Sequence, residues 1–84
     1  MEAKITRTVV DNNGSEYKIG NDVGFGLLRN DKCYLCVGVI TDITEKSFTI
    51  TNVLIDRMSL CENLTIKYEE VEDGVLESVS HSYS

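Results

Sequence analysis

Apolar and polar positions alternate with a period of two along most of the chain, and the apolar ones are rich in β-branched residues. This is the pattern of half-buried strands, whose successive side chains point to opposite faces. No window of ten or more residues carries a helical stripe, so an all-β fold is predicted. Lys4 to Val10 reads as the first strand and stops at Asp11-Asn12-Asn13-Gly14-Ser15, five residues that favour turns. Glu16 to Ile19 can extend briefly. Val23, Phe25 and Leu27 then alternate with Gly24, Gly26 and Leu28, which leaves one face of that strand nearly bare. Beyond the polar connection Arg29-Asn30-Asp31-Lys32, the longest strand runs from Cys33 to about Thr44, and these two strands should form a hairpin.

Gly38 lies in the middle of the long strand, where a missing side chain marks a bulge, a sharp bend or a close backbone approach, and the strand is expected to bend around a barrel there. Ser47 to Val53 alternates most cleanly, with Phe48 and Ile50 inward and Thr49 and Thr51 outward. Leu54 to Asn63 breaks the alternation, and either a partly ordered loop or a short helical turn fits it. Leu64, Ile66 and Tyr68 mark another strand, Glu69 to Asp73 suits one 3₁₀ turn, and Val75 to Val79 would be the closing strand. Five to six short antiparallel strands must each bury an apolar face, and within 84 residues closure into a barrel is a smaller solution than a sandwich. Residues 1–79 are therefore expected to form a single small β-barrel domain, and Ser80-His81-Ser82-Tyr83-Ser84 to be a disordered C-terminal tail.

The order of these elements carries a resemblance. A glycine-punctuated strand is followed by the long strand Val37-Gly38-Val39-Ile40-Thr41-Asp42-Ile43, by Ser-Phe-Thr-Ile-Thr, then by Leu-Thr-Ile-Lys-Tyr and a short acidic turn. From Tyr17 to Val79 this resembles the small SH3-like and Sm-like β-barrel proteins. The resemblance implies a non-catalytic binding module, and Sm-like members form rings through strand edges and bind RNA near loop residues. Here the aspartate after the central glycine comes at Asp42, four positions on, earlier than the Sm motif places it, and Arg57-Met58 stands where an Arg-Gly pair is expected. RNA binding is not carried over.

Composition sharpens this picture. Hydrophobic residues make up 42% and charged residues 26%, which is the balance of a folded domain and not of a disordered chain. The formal charge of -6 repels phosphate backbones and anionic lipid, and the eight basic residues are spread singly, so nucleic acid and membrane are disfavoured as partners. The start Met-Glu-Ala-Lys has no apolar leader, and the longest apolar run, Leu35 to Ile40, is too short to cross a bilayer. A cytoplasmic location is expected. Three cysteines, Cys33, Cys36 and Cys61, then read as free thiols in a reducing compartment.

Few residues point to chemistry. Cys33-Tyr34-Leu35-Cys36 has the spacing of a metal or redox pair, and Cys61 with His81 could complete four zinc ligands. On an extended strand, however, residues three apart face opposite ways, so small buried hydrophobes are the expected role and no cofactor or metal is assigned. His81 sits in the serine-rich tail without a fixed neighbour that could make it a base. An acid/base pair of Asp42 with the Glu69 to Asp73 carboxylates is conceivable, but such runs are ordinarily solvated faces. Gly24-Phe25-Gly26 lacks the following helix of a phosphate loop. No catalytic residue is assigned and the chain is not expected to be an enzyme.

Surface aromatics are the remaining lead, with Tyr17, Tyr34, Tyr68 and Tyr83 available for extended peptides. If Leu35, Val37 and Val39 face the core, Tyr34, Cys36 and Ile40 face outward and form an exposed apolar strip, the candidate interface. The expected function is a protein-interaction or assembly module that acts by homo-oligomerisation or by pairing at a free strand edge. The alternative is an Sm-like ring that binds nucleic acid once symmetry gathers its scattered basic residues.

Overall fold

The computed structural model describes residues 1–4 and 8–79, and it is all-β. The strands are β1 (Glu2–Lys4), β2 (Thr8–Val10), β3 (Glu16–Lys18), β4 (Asp22–Arg29), β5 (Lys32–Ile43), β6 (Ser47–Ile55), β7 (Ser59–Lys67) and β8 (Glu77–Ser78). They form two antiparallel sheets, one in the order β1-β2-β3 and one in the order β7-β6-β5-β4-β8. Among the described residues no ladder joins β7 to β4 or β8, so the larger sheet is not closed into a barrel.

The described residues hold eight strands where five to six were expected, and the extra ones have local causes. Lys4 to Val10 is not one strand, because Glu2–Lys4 pairs antiparallel with Thr8–Val10; Ile5 to Arg7 lie outside the described residues. The broken pattern of Leu54 to Asn63 is neither loop nor helical turn. It is the end of β6, a three-residue connection Asp56-Arg57-Met58, and the start of β7. Asp56 and Arg57 both take positive φ there, and the Asp56 carboxylate and N–H bond the N–H and carbonyl of Leu35. The acidic segment makes two 3₁₀ turns, Tyr68–Glu70 and Glu72–Gly74, because Val71 between them is extended (φ −82°, ψ 123°); within the second turn Asp73 and Gly74 take positive φ.

Asn30 and Asp31 form a two-residue hairpin loop between β4 and β5, both at positive φ as a type I′ turn requires. This pairs Arg29 with Lys32 and so places Phe25 opposite Cys36 and Leu27 opposite Tyr34. Further along β5 the ladder to β6 shifts twice, between Val37 and Val39 and again between Ile40 and Asp42. The first shift falls at Gly38, where a Cβ would stand 3.1 Å from both Ile50 Cβ and the Thr51 carbonyl oxygen. Gly38 thus marks a register shift and a close backbone approach, in a sheet that does not close into a barrel. Asn52, at φ 55°, is the extra residue on β6, and Thr41 is the extra residue on β5.

The core lies between the sheets. Val9 and Tyr17 come from the small sheet, and Val23, Phe25, Leu27, Cys36, Ile40, Ile43, Phe48, Ile50, Val53 and Ile66 from the large one. Phe48 joins Phe25 edge-on at 5.5 Å and stacks on Tyr68 at 5.8 Å between centroids. Fully burying each side chain of this size contributes about 1.5–3 kcal/mol.

A polar latch ties the small sheet to the C-terminal segment. The buried Asp11 carboxylate accepts the N–H groups of Asn13 and Ser15 on one oxygen and of Leu76 on the other, at 3.0 to 3.1 Å. Asn12 donates its backbone N–H to Gly74 and its amide to the Asp73 carbonyl, and Tyr17 Oη donates to the Leu76 carbonyl at 2.8 Å.

Candidate functional site

Residues directly opposite in an antiparallel ladder share a face. Since Val23, Phe25 and Leu27 enter the core, Gly24 and Gly26 point to the outer face of the larger sheet. Gly24 pairs with Val37, Val37 with Leu54, and Leu54 with Leu60. This is an apolar row across four strands, roughly 15 Å long at the usual strand spacing. Leu35, opposite Gly26, is 44% exposed, and Leu60 at the end of the row and Met58 in the adjoining turn are each 84% exposed. Alongside runs a polar band in which the Thr41 and Thr51 hydroxyls stand 3.0 Å apart, Thr51 donates to Asn63, and the Thr49 and Thr65 hydroxyls stand 3.1 Å apart.

The residues expected to form the exposed strip sit on the other side. Cys36 and Ile40 are completely buried and Tyr34 is half-buried against the core, while Leu35 is exposed and Val37 and Val39 are half-exposed. The facing of β5 is thus the reverse of the expectation. The cause is the two-residue turn, which sets Cys36 against core-facing Phe25; Ile40 lies against Ile50. An apolar strip on β5 does exist, on the opposite parity.

The other singled-out residues are dispersed. Cys33 is on the outer face and Cys36 in the core, and all three cysteines are free. Among the described residues no group of three or more His, Cys, Asp or Glu side chains stands together as metal ligands would; His81 lies outside them. Burial pushes the Cys36 thiol up to about 11. Cys33 donates to Glu72 at 2.9 Å, and that hydrogen bond raises its thiol above the ordinary value. Tyr17 and Tyr68 are not surface aromatics: both are buried, Tyr68 Oη donates to the Thr44 carbonyl at 2.6 Å, and burial raises its phenol to about 12. Tyr83 lies outside the described residues, as does the rest of the expected tail.

The gap between β4 and β7 is spanned by a side chain that sequence reasoning did not single out. Arg29 donates from Nε and Nη2 to the two carboxylate oxygens of Glu70, 2.9 Å each, and from Nη2 to the Thr65 carbonyl at 3.2 Å. The guanidinium, chiefly through these hydrogen bonds, holds the Glu70 carboxyl down to about 2, with a further bond from the Lys67 N–H. An open cleft of about 1070 Å³ surrounds this pair, with Lys46, Lys67 and Glu69 on its walls. Since Glu70 is engaged by Arg29 and Glu72 by Cys33, the acidic segment is tied into the fold and does not converge on Asp42, which lies opposite Thr49 on β5.

The free edge of β7 is also partly occupied. The carbonyls of Asn63 and Thr65 and the N–H of Lys67 bond to the side chains of Cys61, Arg29 and Glu70. Blunting of this kind discourages pairing with another strand.

No helix of the described residues is long and apolar enough to cross a membrane. Comparison of the chain with protein-family models, curated proteins and solved structures gives no match.

Proposed function

We propose that this chain is a non-catalytic protein-interaction or assembly module that binds through the outer face of its larger sheet. The observation that carries the reading is the row Val37, Leu54 and Leu60, with Leu35 and Met58 beside it, turned to solvent on a face whose other half is threonine. A contiguous apolar patch rimmed by polar groups is the usual mark of an interaction surface. The face is favoured over the β7 edge because side chains already occupy that edge. We read the architecture as an SH3-like barrel left open between β7 and β4: a long strand bulged near Gly38, two following strands, 3₁₀ turns, and a last strand returned to β4. No chemical step is assigned, since the buried or bonded carboxylates Asp11, Glu70 and Glu72 serve hydrogen bonds within the fold.

Light scattering of the purified chain over a concentration series, together with photo-crosslinking from position 60 in cell extract, tests the proposal. Either a discrete oligomer or a saturable cross-link that unlabelled wild-type chain competes away, and Leu60→Asp chain does not, is expected. A monomer at every concentration with no competed cross-link would overturn it.

A further inference from the structure

Resting on that reading, we infer that the occupant of the outer row is a cationic amphipathic segment of another protein. The row is bordered by carboxylates. Glu77 pairs with Gly24 and so stands on the same face at one end, exposed to solvent. Glu72 covers Gly26, where a Cβ would meet its carboxylate oxygen at 2.5 Å and its own Cβ at 3.1 Å, and Gly26 is the partner of Leu35. Asp56 reaches the Leu35 N–H at 2.8 Å. Arg57 adjoins Asp56 in the β6–β7 turn, and Lys67 lies at the far end of β7, opposite Ser47 and beyond the threonine band.

An apolar row with an acidic border selects a segment that presents apolar side chains on one side and Lys or Arg at their flanks. A second copy is disfavoured, because the same three carboxylates would be brought toward each other in a chain already at -6. Anionic lipid and nucleic acid meet the same repulsion.

The test is a titration of the isotopically labelled chain, followed by amide shifts, with a short capped amphipathic peptide of leucine and lysine and with its leucine–glutamate counterpart. The lysine peptide is expected to shift the amides of Leu35, Val37, Leu54 and Leu60 saturably and to bind more weakly as salt screens the border. Leu60→Ser, at a highly exposed position, should weaken it about tenfold. Glu72→Gln with Glu77→Gln should weaken it further. If both peptides bind alike, or neither binds, the cationic occupant is overturned while the interaction face still stands on its own test. If the chain alone dimerises and the same amides shift on dilution, the occupant is a second copy and this inference fails. If the lysine peptide binds Leu60→Ser as tightly as wild type, or shifts other amides, both the inference and the choice of face fail.

Discussion

Arg29 grips Glu70 through both carboxylate oxygens at 2.9 Å, and so joins the last residue of β4 to the 3₁₀ turn that follows β7. Glu70 titrates at about 2 in the folded chain against an ordinary 4.5. A depressed folded value means that the stabilisation is complete above the unfolded value and is lost as pH falls from about 4.5 toward 2. With Arg29 about a third exposed, screening leaves about 1–2 kcal/mol. Urea unfolding of wild type and Glu70→Gln at pH 7 should differ by that amount, and the difference should shrink across the acidic range. A gap that stays constant down to pH 2 would contradict the pairing.

Gly38 and Gly26 both face crowded surroundings, yet their alanine variants should behave differently. At Gly38 the added methyl meets the Ile50 Cβ and the Thr51 backbone, neither of which can swing aside. At Gly26 the closest atom is the end of the Glu72 side chain, which can. Gly38→Ala should lose about 1–3 kcal/mol in denaturant unfolding, as overpacking of a fixed core does, and Gly26→Ala clearly less. Equal losses would mean that the β5–β6 approach is softer than its geometry implies.

Asp11→Ala would leave three N–H groups, on Asn13, Ser15 and Leu76, without their acceptor. A loss of about 2–4 kcal/mol is expected for such a buried hub, against about 1 kcal/mol for Tyr17→Phe, which deletes a single bond. Amide exchange should speed at Asn13, Ser15 and Leu76 in the first variant and not in the second, whose lost bond is to the Leu76 carbonyl.

Alkylation separates the cysteines. Cys36, fully buried with its thiol at about 11, should resist iodoacetamide until the chain unfolds, while exposed Cys33 reacts in the native state. Glu72→Gln removes the carboxylate that raises the Cys33 thiol, so more thiolate is present at a given pH and alkylation should quicken. An unchanged rate would show that the Cys33–Glu72 bond does not persist in solution.

The strands were legible wherever one face is apolar and the other polar, as in Ser47 to Val53. The facing of β5 was not, because Leu35, Cys36, Val37, Val39 and Ile40 make both of its faces apolar. The signal that decides it lay in the turn: Asn30-Asp31 as a two-residue type I′ loop places Cys36 beside Phe25, and the bare side carrying Gly24 and Gly26 then has to be the outer one. Arg29 with Glu70, and Asp11 with Leu76, are 41 and 65 residues apart, and no local pattern announces such partners. The side chains of the row come from β5, β6 and β7 and its glycine from β4, so it becomes visible only once the register of all four is known.

The two shifts between β5 and β6 act like a pair of compensating frameshifts. The residue added at Asn52 moves the pairing out of phase and the residue added at Thr41 restores it, so Val37 with Leu54 and Ile43 with Phe48 keep the phase of an uninterrupted hairpin. Only the short stretch carrying Val39, Ile40, Ile50 and Thr51 is displaced. Curvature is thereby confined to the middle of the hairpin without altering how its two ends are spliced into the sheet. Deleting either extra residue alone would make the ladder regular at that point and leave the other bulge in place, with Phe48, Ile50 and Val53 still facing inward, whereas deleting both would straighten the hairpin.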